Sequence, residues 1–192
     1  MSDKRVIVLA ASPRKGSNST LLAEKAAEGV NAAGAVAEII NLGELNIGPC
    51  QACDSCRKAP GAGCIIDDEM QPLYGKIRDA EGLVFASPVY WFNMSAQLKL
   101  FIDRTYAMRL GDKHGLTGKK IGVILTYADD DIFVSGGINA LRSIQDVCAY
   151  VDAELVGSVY GTADKPGSLK GDQKLLDKAY RLGEEIAEAV SA

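Results

Sequence analysis

Five short apolar runs, each followed by a stretch of helical spacing, leave this 192-residue chain few folds to choose from. The runs are Val6-Ile7-Val8-Leu9-Ala10, Val36-Ala37-Glu38-Ile39-Ile40, Gly82-Leu83-Val84-Phe85-Ala86, Ile121-Gly122-Val123-Ile124-Leu125 and Leu155-Val156-Gly157-Ser158-Val159-Tyr160. After the first, Leu21, Leu22, Ala26 and Val30 fall close to one helix face, and Gly34 is a stop signal. A second helix, capped by Asp67-Asp68, carries Met70, Leu73, Tyr74 and Ile77. A third turns Leu98, Phe101, Ile102 and Tyr106 inward, a fourth Ile138, Leu141, Ile144, Cys148 and Val151, and the last Leu175 to Val190. Wholly apolar strands belong to parallel sheets covered on both faces. Strict alternation with right-handed crossovers predicts an α/β fold, a doubly wound five-stranded parallel sheet of order 2-1-3-4-5. The length suits one domain over 1–192, with a cysteine-rich loop at 48–64 opened by Gly48-Pro49. In such a sheet a ligand sits where the strand order reverses, so it is expected to touch the loops after Ala10, Ala86 and Thr126.

The loop after the first strand is Ala11-Ser12-Pro13-Arg14-Lys15-Gly16-Ser17-Asn18-Ser19-Thr20. Ser17, Asn18, Ser19 and Thr20 are all residues that cap orphan amides at a helix start. A helix N-terminus attracts anions, and Arg14 adds a guanidinium fork that matches phosphate oxygens. The loop is a phosphate cradle on one reading and a polar turn capping a helix on the other. No Gly-x-Gly-x-x-Gly follows this strand, and no Gly-x4-Gly-Lys-Ser/Thr occurs. A monophosphate therefore fits better than a pyrophosphate or triphosphate.

The loop after the third strand, opened by Ser87-Pro88, runs Val89-Tyr90-Trp91-Phe92-Asn93-Met94-Ser95 and contains the only Trp of the chain. So aromatic a surface loop marks a binding site, a dimer interface or a loop folded into the core. Its place at the switch point favours a flat ring ligand. Phosphate cradle and ring platform together suggest FMN, with Tyr127 nearest the ligand on the third wall. The acidic tip Asp129-Asp130-Asp131 reads as solvated or capping.

Net charge is −4 with the signs mixed and no basic stripe, so nucleic acid is not an expected partner. No run reaches the length of a membrane span, and Met1-Ser2-Asp3-Lys4-Arg5 has no apolar leader, so a cytoplasmic protein is expected. In that compartment five cysteines point to metal or redox chemistry before structural disulfides.

Ala11 to Ser19 resembles the phosphate loop of NADPH-dependent FMN reductase-like proteins. Ser87 to Lys99, continued by Phe101-Ile102-Asp103-Arg104, resembles their isoalloxazine loop and the helix after it. The resemblance covers most of the chain. It implies a flavodoxin-like fold, bound FMN and at least a homodimer with the flavin near the subunit interface. By position, Ser12, Arg14, Ser17, Asn18, Ser19 and Thr20 would hold the phosphate. Pro88, Val89, Tyr90, Trp91, Phe92, Asn93 and Met94 would hold the ring. The loop differs from the Thr-rich phosphate loop of true flavodoxins, which favours a reductase.

Cys50, Cys53, Cys56 and Cys64 read C-x2-C-x2-C-x7-C. On a helical backbone the first three lie within roughly a third of the circumference, and Cys64 would fold back across Gly61-Ala62-Gly63. Four such thiolates suit a [4Fe–4S] cluster, and the motif resembles that of iron–sulfur flavoproteins, a branch of the same family. Structural zinc, free redox thiols or a disulfide are the alternatives. Cys148 reads as core packing, and His114, the single histidine, is assigned no role.

The expectation is an FMN-dependent oxidoreductase, with NAD(P)H as reductant and a small-molecule or protein electron acceptor. The alternative is an iron–sulfur flavoprotein carrier that exchanges single electrons with a ferredoxin-like partner.

Overall fold

Strand β1 (Arg5–Ala10) runs up the middle of a parallel sheet, between β2 (Val36–Asn41) and β3 (Gly82–Tyr90). Beyond β3 lie β5 (Lys120–Tyr127) and β6 (Glu154–Thr162), which gives the order β2-β1-β3-β5-β6. A two-residue β4 (Asn93–Met94) pairs antiparallel with the end of β3. Without that short piece the order is the one the sequence predicts. The computed structural model describes residues 4–58 and 63–192. Met1 to Asp3 and the tip of the cysteine loop, with part of the expected fold-back of Cys64, lie outside them.

The sheet separates two apolar layers, and side-chain alternation decides which residue serves which. Ile7, Leu9, Leu83, Phe85, Ile121 and Val123 pack against α3 (Gln71–Asp79), α4 (Ala96–Arg104) and α5 (Gly137–Val151). Val6, Val8, Ala10, Val84, Ala86 and Ile124 pack against α1 (Asn18–Ala32) and α6 (Gln173–Ser191). The last two helices touch backbone to backbone. A Cβ on Gly29 would lie 2.0 Å from the Tyr180 carbonyl oxygen, and one on Gly183 2.0 Å from that of Ala26. Cys148 is buried, as expected, and burial pushes its thiol up to about 11.

Four local expectations are corrected. β3 does not stop at Ser87-Pro88 but continues to Tyr90, with Pro88 opposite Thr126 at the end of the ladder, where one missing donor is tolerated. Tyr106 is exposed, because α4 tightens into a 3₁₀ turn at Thr105 and the wider step per residue swings it off the core face. Asp68 accepts a hydrogen bond from the Met70 amide, but α3 starts at Gln71, and the carboxylate turns chiefly to Arg104. The cysteine run is not a helix. Among its described residues only Ser55–Lys58 (α2) is helical, while Ala52 and Asp54 take left-handed φ values of 51° and 56°. Among the described residues, no helix is long and apolar enough to cross a membrane.

Candidate functional site

The loops after β1, β3, β5 and β6 meet in a crevice of about 190 Å³ at the carboxyl ends of the strands. Ser12, Arg14, Ser17 and Asn18 line one end. Pro88, Val89 and Tyr90 form a wall, Thr126, Tyr127 and Ala128 another, and Ala163, Asp164 and Pro166 close the fourth side. The last three were not foreseen; the Gly- and Pro-containing connection after the final strand was the available signal.

Buried neutral hydrogen bonds shape this crevice. Ser17 is the N-cap of α1, and its hydroxyl accepts from the Thr20 amide at 3.2 Å. The Asn18 side chain donates to the Lys165 carbonyl at 2.8 Å and accepts from the Leu169 amide at 3.2 Å, so it ties the first loop to the β6–α6 connection. The Ser95 hydroxyl donates to the Ala11 carbonyl at 2.7 Å, and the Ser95 amide donates to Ser87 Oγ at 2.9 Å. These two serines join the first loop to the third, a role the sequence did not reveal. Ser19 is fully buried, and neither it nor Thr20 lines the crevice. The exposed Arg14 holds its guanidinium 5.5 Å from the Tyr90 ring centre.

Trp91 and Phe92 form the tip of the β3–β4 hairpin, both at positive φ, 49° and 65°. A two-residue hairpin of this kind normally uses Asn and Gly. Bulky side chains there are strained, and such strain collects at functional positions. The rings stack with centroids 6.1 Å apart, and Trp91 is 93% exposed. Phe92 sits against Gly136, and its carbonyl accepts from Asn139. Phe133 and Val134 of the next loop are also exposed, and Asp131 caps their amides. Asn93 is exposed beside the tip, while Met94 turns into the core. The tip residues and Met94 therefore do not line the crevice in the single chain. Burial pushes the Tyr127 hydroxyl up, which keeps it a neutral donor.

Away from this crevice, Cys50, Cys53, Cys56 and Cys64 line a pocket of about 30 Å³, all as free thiols. Among the described residues, no three His, Cys, Asp or Glu side chains stand close enough together to hold a single metal ion. Hydrogen bonds with Ser55 hold the Cys53 thiol below its usual range, while burial, and then the neighbouring Cys64, push that of Cys56 up. The pocket floor is Arg104, 1% exposed. Next to it a cavity of about 610 Å³ opens between Cys50, Ile102, Tyr106, His114 and Tyr150. The His114 ring accepts from the Leu116 amide at Nδ1, which leaves Nε2–H to donate to the Thr105 carbonyl at 2.9 Å. Burial holds this imidazole below its usual range, so it is a neutral loop brace.

Comparison with known proteins agrees with this architecture. An iron–sulfur flavoprotein of Methanocaldococcus jannaschii is 30% identical over 97% of this chain and 97% of its own. One of Archaeoglobus fulgidus is 30% identical over 96% of this chain and 80% of its own. The NAD(P)H:quinone oxidoreductase of Methanothermobacter marburgensis superposes with a TM-score of 0.74 at 22% identity, covering 96% of this chain and 98% of that one, a likeness of fold. Residues 4–166 match the family model described as NADPH-dependent FMN reductase, and with strand order, crevice and relatives in agreement, the chain belongs to that family.

Proposed function

We propose that this chain is an FMN-dependent NAD(P)H oxidoreductase that binds one FMN in the strand-end crevice. The observation that carries this reading is the meeting of the predicted loops in one crevice, with a helix N-terminus and Arg14 at one end and Tyr90, at the base of the aromatic hairpin, in the wall beside them. The first-turn amides of a helix lack intrahelical partners, and Ser17 satisfies only that of Thr20, so others are available to a phosphate. Ser12, Arg14, Ser17, Asn18, Ser19 and Thr20 form the phosphate end, Ser19 through its backbone amide and Thr20 by holding the Ser17 hydroxyl in place. Pro88 to Met94 and Tyr127 shape the ring end, with Trp91 and Phe92 as an outer lip. Bound flavin supplies hydride and single-electron transfer. The protein's part is to orient it and exclude water from one face. The exposed lip and the neighbouring Phe133 and Val134 suit a second copy of the chain, so the working form is a homodimer.

A second reading, the iron–sulfur flavoprotein carrier, is favoured by four free thiols around one pocket. Four thiolates around one pocket, with no three among the described residues close enough to share a single ion, would suit a [4Fe–4S] centre, which takes one thiolate on each iron, better than zinc. Cys50, Cys53, Cys56 and Cys64 would hold such a centre, which supplies single-electron chemistry.

Anaerobic purification with flavin, iron and sulfide counts, followed by NAD(P)H oxidation assays, tests both readings. Flavin with steady nicotinamide oxidation supports the first. About four irons per chain without that oxidation supports the second. Failure to bind added FMN overturns both. Arg14→Ala is expected to weaken FMN by roughly tenfold, the worth of a hydrogen bond to a charged group, and to leave phosphate-free riboflavin unchanged in a fluorescence titration.

A further inference from the structure

The guanidinium of Arg104 is buried under the cysteine loop and is almost fully engaged. Its Nη1 donates to the Gly48 carbonyl at 2.9 Å and to Asp68 Oδ2 at 2.5 Å. Its Nη2 donates to Asp68 Oδ1 at 3.0 Å and reaches the Ile66 carbonyl at 3.4 Å. Gly48 precedes the first cysteine and Ile66 follows the last, so one side chain grips both ends of the loop. Gln71 strengthens the exit end by donating to the carbonyls of Cys64 and Ile66. The carboxylate occupies the end of the guanidinium fork, and the third nitrogen, Nε, is buried with no partner among the described residues. A buried donor of a charged group left unpaired is costly. Arg104 lines the same pocket as the four thiols.

We propose that Arg104 is the positioning residue of the cysteine site, clamping the loop through Gly48 and Ile66 and reserving its Nε–H for an anionic sulfur held in the thiol pocket. The acceptor is a cysteine thiolate or, when a cluster is present, one of its sulfurs. The cluster part rests on the second reading above; the thiolate part does not. A hydrogen bond to sulfur stabilises the more negative, reduced state and raises the potential.

The decisive variant is Arg104→Lys, which retains a cation for Asp68 but lacks Nε and the planar fork. In anaerobically reconstituted protein, iron and sulfide per chain are expected to match wild type. The reduction midpoint should move to more negative values, and one exchangeable-proton coupling to the reduced centre should vanish from its magnetic resonance spectrum. An unchanged midpoint with the coupling retained overturns the proposal. If Arg104→Lys does not fold, Gln71→Ala loosens only the exit end, and in iron-free protein it is expected to weaken cadmium binding several-fold; unchanged affinity overturns the clamp. If wild type takes up no iron, the cluster reading fails alone, and cadmium titration of the thiols, read by charge-transfer absorbance, judges Arg104. Several-fold weaker binding in Arg104→Lys supports the clamp, and equal affinity overturns it. Absence of cadmium binding by wild type removes the sulfur site and the proposal with it.

Discussion

At the strand ends, loops of the sheet itself converge, and neutral groups join them: Ser95 to Ala11, Ser87 to Ser95, Asn18 to Lys165 and Leu169. The cysteine loop hangs outside the sheet and is held by charge, through Arg104, Asp68 and the stack of Arg57 on Tyr106, 5.9 Å from the ring centre. The first kind of scaffold follows from strand order, because any doubly wound sheet brings those loops together. The second needs one particular pair of residues. A site on strand ends inherits its shape from the core, while a site on an inserted loop requires its own small buried scaffold. The two regions should therefore respond independently to mutation, since changes that share no partners usually add.

The largest effect is expected at the charged scaffold. Asp68→Asn leaves the Arg104 cation buried without a counter-charge and should cost about 3–5 kcal/mol in urea unfolding. FMN affinity of the folded fraction should remain that of wild type; a large loss would mean that the regions are coupled. Gly183→Ala strikes the other region from below, forcing α6 away from the Ala26 carbonyl. It should cost about 1–3 kcal/mol and weaken FMN, because α1 carries the proposed phosphate end.

A smaller effect of opposite sign is expected at the hairpin tip. Trp91→Asn replaces a strained, exposed residue by one that tolerates the left-handed region and should stabilise the chain by about 1 kcal/mol, followed by circular dichroism. It should also weaken flavin binding or dimer formation. Stabilisation without either loss would remove the lip from the proposed site.

The smallest effect is on pH dependence. His114 is held neutral by burial, so its folded proton affinity lies below its unfolded one. As pH falls below about 6.5, the unfolded chain takes up the proton first, and stability drops down to the folded value. His114→Gln should flatten the fall of the unfolding midpoint below about pH 6.5. Asp68 acts lower: burial opposes its charge, but hydrogen bonds from Arg104, Gly48 and Met70 prevail and hold its carboxyl below its usual range. Its contribution is complete above about pH 4 and fades as pH falls further.

Sheet order and the place of the crevice were legible because they follow from periodicity and chirality, and Val6 to Ala10 or Ile121 to Leu125 state the pattern plainly. Ser87 and Ser95 looked like a strand end and a helix start; their joining of two loops depends on partners far away in sequence. Arg104 was carried along only as part of a family-like helix, with no role of its own. Its burial requires Asp68, 36 positions earlier, and nothing local marks that pair. Tyr106 misled because the sequence does not announce where an α-helix tightens into a 3₁₀ turn.

The bonds from Asn18 to Lys165, Ser168 and Leu169 also order events during synthesis. The loop after β1 leaves the ribosome early, but its asparagine is fixed only after β6 and the connection that follows it have emerged. Helix α6 must then seat its Gly183 against α1. A nascent chain therefore carries an unfinished first loop until residues 165–169 have emerged and can bond to Asn18.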